Sequence, residues 1–388
     1  MAVPLRRYIA NRLGDYYAQP PNHVVGSFSK DINYKSLFGE WHWKRLCKDL
    51  YERDQLGQWL TPVELFRPYY SQVFAEYVAQ QLSKEKSKKG YKFDIVEMGG
   101  GRGTNAEAIL TQLQSNFPDI YEQLRNYTIV DSSPSLHELQ KRVLLDGGHG
   151  TKLKFSLKDL TDVAESNTEL FPSSETTPTF VLGFELLDNL GHDKVRRDPV
   201  THKLEHALVD DKGAEIFKPL SGDTLLKNIL IKVPSYGGRM GNPIWVPSVA
   251  CGVLIEIKRK RPRSWIVLAD FDYLPPPDLD NDYGRLSVYG DGEPLVTSME
   301  GIDYECYLKS PHLADILYPT DFERLSYFCS KCFAYSVVKI TKQGQFLSKV
   351  GPAQVKATTS MLTGYSPMIS DFLNCSVLTV SPQEVLKA

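Results

Sequence analysis

Tyr69, Val73, Phe74, Tyr77, Val78 and Leu82 recur at three- and four-residue spacing, which predicts a helix with one apolar face over 68–83. A charged run over 84–92 follows and reads as a solvated loop. The pattern then changes period. A short apolar run over 93–98 reads as a strand, four glycines follow within 99–103, and helical spacing resumes over 105–114. Further strand-like runs fall at 127–130, ending at Asp131, and at 153–157, 179–182, 253–257, 265–269 and 334–340. Short apolar strands alternating with helices predict an α/β fold with a mostly parallel sheet and crossover helices. Residues 15–50 are aromatic and loop-rich. The triple proline at 275–277 opens a long acidic, glycine-rich connection that reaches Gly292.

Composition narrows the class. The chain has 388 residues, of which 42% are hydrophobic and 24% charged, as in ordinary globular proteins. Net charge is 45 − 47 = −2, so no basic field favours nucleic acid, and no nucleic-acid partner is expected. No apolar run approaches the roughly 20 residues of a spanning helix, so a soluble protein with no membrane span is expected. Six cysteines (47, 251, 306, 329, 332 and 375) are too sparse for a disulfide scaffold and suit a reduced compartment. Residues 1–14 carry Arg6, Arg7 and Arg12 and no acid. That is a presequence-like signal, but the stretch 5–13 also reads as the first helix of the folded domain.

The segment 94–104, DIVEMGGGRGT, places G-x-G-x-G directly after a strand. Glycine permits positive φ and close approach of backbone to a ligand, and a helix opening there offers free N–H groups. Such a turn also suits a dinucleotide, but Glu97 stands at the strand end before the first glycine. A carboxylate there repels a pyrophosphate and suits a cation. S-Adenosylmethionine carries an ammonium and a sulfonium, and is the expected cofactor. Gly99, Gly101 and Gly103 would form its cradle, Asp131 would accept the ribose hydroxyls, and Asp159, after the third strand, would reach the adenine amine. For each acid the competing reading is a helix cap.

Glu185 and Asp188 follow the 179–182 strand, three residues apart. If a helix begins there, both lie on one face, at the sheet edge where α/β proteins bind ligands. Two carboxylates beside a methyl donor suit a guanidinium, whose charge is permanent and whose lone pairs are delocalised. Glu185 and Asp188 are therefore the expected catalytic pair. No metal site is expected. Cys329 and Cys332 form a lone C-x-x-C, and His202 and His206 do not make H-E-x-x-H. The basic stretch 258–263 reads as a solvated turn, with docking of an acidic partner or RNA as the alternative.

Several blocks, in order over roughly 7–340, carry a resemblance: RYIANRLGDYY (7–17), GQWLTPVEL (57–65), VEMGGGRGTNAEAIL (96–110), GFELLDNL (183–190), GVLIEI (252–257), WIVLADFDY (265–273) and DILYPTDFERL (315–325). Together they resemble the MidA family of S-adenosylmethionine-dependent methyltransferases, which includes a mitochondrial arginine methyltransferase needed for respiratory complex I assembly. The resemblance implies a class I, Rossmann-like methyltransferase fold with a mostly parallel seven-stranded sheet. It implies an N-terminal helical region over 1–90 that contributes to the cofactor lid, a methyltransferase domain over 91–345 with inserted loops, and a C-terminal extension over 346–388. It adds Thr61 and Glu64, which match the block lying over the cofactor, to the cofactor residues. It implies a protein arginine substrate and the mitochondrial matrix. Gly100 stands where the family has proline or alanine, Phe184 where it has asparagine, and Gly191 where it has proline. A binding-only assembly factor, or a methyltransferase for small molecules or RNA, is the alternative.

Overall fold

The computed structural model describes residues 2–28, 30–53, 60–84, 92–238, 240–274, 295–297, 303–304, 307–308, 313–334 and 336–383. The connection expected over 275–292, most of the loop expected over 84–92, and Gly57 and Gln58 of the upstream block lie outside the described residues.

Seven strands form the main sheet: β1 (Phe93–Met98), β2 (Leu124–Asp131), β3 (Leu153–Leu157), β4 (Thr179–Phe184), β5 (Ser264–Phe271), β6 (Ser336–Lys342) and β7 (Cys375–Pro382). Their spatial order is β6-β7-β5-β4-β1-β2-β3. β1 to β5 run parallel, and β7 lies antiparallel between β5 and β6. β1 and β4 are buried along their whole length. Helices on both faces of a parallel sheet explain why these strands read as near-continuous apolar runs.

Alternate residues feed two cores. Phe93, Ile95, Phe180, Leu182, Trp265 and Val267 enter one cluster, and Val96, Val181, Ile266 and Leu268 enter the other. The helices that matter for the site are α1 (Leu5–Tyr17), α2 (Pro62–Leu65), α3 (Tyr69–Lys84), α4 (Thr104–Asn116), α5 (Pro134–Asp146), α6 (Leu160–Ala164), α7 (Ser248–Lys260) and α8 (Phe322–Cys332). α3 and α4 bury Val73, Phe74, Ile109 and Leu110 in the first core, while α6, α7 and α8 bury Val163, Val253, Leu254 and Phe328 in the second. A smaller antiparallel sheet inserted after β4 contains Asp193–Arg197, Leu204–Val209 and Ile244–Val246. No helix among the described residues is long and apolar enough to cross a membrane.

Two expectations are corrected. Residues 253–257 are not a strand but the centre of α7, where the run VLIEI is helical and buried. A short apolar run fits a buried helix as well as a buried strand, and nothing in five residues separates them. The basic stretch 258–263 is not a free turn. Lys258, Arg259 and Lys260 close α7, where cations meet the negative end of the helix dipole. Lys260 and Arg261 are buried, Lys260 pairing with Glu169 at 2.7 Å and Arg261 donating to the Ser173 carbonyl at 2.6 Å. The stretch 346–388 supplies β7 of the main sheet.

Residues 5–17 form the first helix of the fold, the second of the two readings of the arginine-rich N-terminus. Arg6 is 5% exposed and pairs with Glu165, Asp193 and Asp223 at 2.8, 2.8 and 2.7 Å. Gly191 explains its own place here: a β-carbon on it would stand 2.5 Å from the Arg6 carbonyl oxygen.

Candidate active site

Strand order reverses at β1 and β4, and a sheet of this kind binds ligands at that point, beyond the carboxyl ends of the strands. A cavity of about 600 Å³ lies there, within the roughly 300–1,000 Å³ that buries a small ligand. α1, α2 and the strand Asp315–Leu317 contribute to its walls along with the ends of the sheet.

The glycine turn forms one wall. Gly99, Gly101 and Gly103 have φ of +71°, +50° and +87°, a region that side chains other than glycine rarely adopt. Gly103 caps α4. A β-carbon on Gly101 would meet no protein atom within 4 Å, so that position faces open space. A β-carbon on Gly100 would stand 2.5 Å from Ile129 Cγ2, which accounts for glycine where the resembled family has a larger residue.

Glu97 sits under this turn. Its carboxylate accepts from Asn105 Nδ2 at 2.6 Å and from the Tyr127 hydroxyl at 2.8 Å. Burial pushes it up to about 7, against the two hydrogen bonds, which pull it down. Asp131 accepts from the Ser133 N–H at 2.9 Å and Gln140 Nε2 at 2.8 Å, and burial raises it as well. Gln140 Nε2 also donates to the Gly101 carbonyl at 2.9 Å, tying the turn to Asp131.

Asp159 does two things. It caps α6 by accepting from the Thr161 N–H at 2.7 Å, which was the competing reading, and it also lines the cavity. Thr61 caps α2, accepting from the Glu64 N–H at 3.2 Å. Glu64 is buried in the cavity wall, its Oε2 has no hydrogen-bond partner, and burial raises its pKa.

Glu185 and Asp188 come together in the same cavity, but not on a helix as expected. Glu185 has φ of +49°, and only the single turn Leu187–Asn189 is helical, of the tighter 3-10 kind. Glu185 Oε1 and Asp188 Oδ1 are both buried without a hydrogen-bond partner. Burial raises both carboxyls well above the usual range, and the nearby Asp270 charge raises them further.

Asp270, at the end of β5, holds this turn. Its Oδ2 accepts from the N–H groups of Leu186, Leu187 and Asp188 at 3.0, 2.7 and 3.3 Å. Burial pushes it up to about 7. Sequence reasoning assigned it no role, although the logic used for Glu97 and Asp131, an acid closing a strand, applies equally to β5. Gln140, Asn189 and Asp315 were also missed, and no local signal marks them.

Among the described residues, eight carboxylates line the cavity against two cationic side chains, Arg102 and Lys158. Buried acids with raised pKa values lose stability by ionising unless a cation joins them. The cavity is therefore built for positive charge beside a backbone cradle.

Residues 73–340, more than half of the chain, match a protein family described as "Putative S-adenosyl-L-methionine-dependent methyltransferase". The chain belongs to this methyltransferase family. No curated protein sequence matches it. Among solved structures, a methyl transferase candidate from Burkholderia thailandensis bound to S-adenosyl-homocysteine is 18% identical and superposes with a TM-score of 0.64, covering 98% of this chain and 88% of that one. A native structure of the same superfamily from that organism gives 18% identity, a TM-score of 0.59 and coverage of 98% and 87%. At such identities the likeness shows the fold.

The cofactor of this methyltransferase is S-adenosylmethionine. The cavity fits it by the glycine turn and the unpartnered buried oxygens of Glu185 and Asp188. When bound, the cofactor supplies an electrophilic methyl group on a sulfonium.

Proposed function

We propose that this methyltransferase modifies a cationic nitrogen, the guanidinium of a protein arginine. The observation that carries the reading is the pair of buried, unpartnered oxygens, Glu185 Oε1 and Asp188 Oδ1, in the wall of the cofactor cavity. A guanidinium offers five N–H donors and no acceptor, so two carboxylates hold it through charge-assisted hydrogen bonds. In-plane bonds leave the π face of the attacking nitrogen free for the methyl group. Transfer forms an N–CH3 bond, breaks the S–CH3 bond and releases one proton. A carboxyl with its pKa raised by burial, as at Glu185, is a stronger base than an exposed one and is suited to receive that proton.

The mitochondrial matrix as the compartment, and MidA as the subfamily, rest on the sequence resemblance. A nucleic-acid substrate is disfavoured by the same carboxylates, which repel phosphate. The test is incubation of the purified protein with methyl-labelled cofactor and mitochondrial extract. Label is expected in a protein band and, after hydrolysis, in methylarginine. Label confined to RNA, small solutes or other amino acids would overturn the arginine reading.

A further inference from the structure

Asp315 is a cavity carboxylate that the reaction above does not use. It opens the strand Asp315–Leu317, which belongs to a small sheet with Leu295–Thr297 and Asp303–Tyr304. Asp315 is 5% exposed and lines the same cavity as Glu185 and Asp188.

Hydrogen bonds fasten its strand to the acid turn. The Tyr318 N–H donates to the Asp188 carbonyl at 2.9 Å. Asn189 Nδ2 donates to Asp315 Oδ1 at 2.8 Å and to the Ile316 carbonyl at 3.2 Å. At its other end, Asn189 Oδ1 accepts from the Tyr17 hydroxyl at 2.7 Å. With oxygen and nitrogen both engaged, the amide of Asn189 has one orientation, and it presents Asp315 toward the cavity from α1 and the turn together.

Asp315 Oδ1 also accepts the Ile316 N–H at 2.9 Å, so both bonds fall on one oxygen. Among the described residues no lysine or arginine pairs with Asp315. The ionisable groups that feel its charge are Asp188, Tyr16 and Tyr17, none of them cationic. Burial pushes Asp315 up to about 7, the behaviour of an acid awaiting a cation. Asp188 is 2% exposed, carries an unpartnered oxygen and adjoins Asp315, so the site is more than a cluster of acids.

Glu185 and Asp188 come from the end of the main sheet, and Asp315 from the small three-stranded sheet. A guanidinium is a planar fork with donors on two edges, whereas an ammonium is a compact point charge with three donors. We propose that Asp315, held by Asn189 and Tyr17, is a third acceptor-binding carboxylate that takes the guanidinium edge left by Glu185 and Asp188, and so selects guanidinium over ammonium. The proposal rests on the arginine reading above.

The test is calorimetric titration of N-acetylarginine amide and N-acetyllysine amide into the full-length protein saturated with S-adenosylhomocysteine. Wild type is compared with Asp315→Asn, Glu185→Gln and Asn189→Leu. Asp315→Asn is expected to weaken the arginine amide at least tenfold, about 1.4 kcal/mol, to change the lysine amide less than threefold, and to leave the S-adenosylhomocysteine affinity unchanged. If Asp315→Asn does not fold, Asn189→Leu is read instead, since it keeps the carboxylate but releases it; the same loss of preference is expected. A wild type that binds the arginine amide, loses it with Glu185→Gln and keeps it with Asp315→Asn would overturn this proposal alone. A wild type that holds S-adenosylhomocysteine but not the arginine amide would overturn the arginine reading and this proposal with it.

Discussion

Gly101 is the residue where backbone conformation and ligand space meet. Its φ of +50° and the open volume at its absent β-carbon mean that Gly101→Val strains the turn and fills the cradle together. The variant is expected to fold and to lose cofactor binding at least a hundredfold by titration; wild-type affinity would show that the turn is not the cradle. Glu97 gives a prediction in pH. Its folded pKa of about 7 lies above the ordinary carboxyl value of about 4.3, so the folded chain binds the proton more tightly than the unfolded one. Its contribution is therefore fully present below pH ~4.3 and declines as pH rises to about 7. Glu97→Gln should gain stability on wild type through that window, read as the difference in urea midpoints between pH 5 and pH 8. A difference that does not move with pH would contradict the buried, ionising carboxyl. At the proposed catalytic pair, Glu185→Gln with Asp188→Asn should lower kcat by about 100-fold or more while cofactor affinity holds; an unchanged kcat would favour a binding-only role. Much of this scale was legible in the sequence. Glu97, the glycines and Asp131 are local, because each sits beside the strand it closes. Asp270 was legible by the same strand-end rule and was passed over, whereas the bond between Asn189 and Asp315 joins residues 126 apart and leaves no local pattern.

Among the elements, α1 is held to the body by ion pairs from Arg6 and Arg7. Arg6 meets Glu165, Asp193 and Asp223; without it the buried Asp193 has no cation, while Glu165 keeps Arg7. Arg6→Ala is expected to cost about 3–5 kcal/mol, read by chemical denaturation, and to weaken cofactor binding because α1 lines the cavity. A loss under 1 kcal/mol would contradict the description of this network. The packing of α7 on α6 makes a similar point: a β-carbon on Gly252 would stand 2.6 Å from the Ala164 β-carbon. Periodicity located β1 to β6 within a few residues. It failed at 253–257, where five apolar and acidic residues in the middle of a 13-residue buried helix resemble a strand. It also missed β7, whose place between β5 and β6 is decided by pairing with strands more than 30 residues away.

Across the whole molecule, the sheet gathers acids from four strand ends, with others from the connections, into one cavity, and the net charge of −2 conceals that concentration. A ligand that binds this cavity in the folded state alone stabilises that state. S-Adenosylhomocysteine at 100 times its Kd is therefore expected to add about 2.7 kcal/mol to wild type and nothing to Gly101→Val. The most direct measurement is a crystal structure of the full chain with S-adenosylhomocysteine. The account predicts the nucleoside along Gly99–Gly103, its ribose on Asp131 and its sulfur facing Glu185 and Asp188. Ligand bound elsewhere, or those carboxylates closed over by side chains while the ligand occupies another surface, would contradict it.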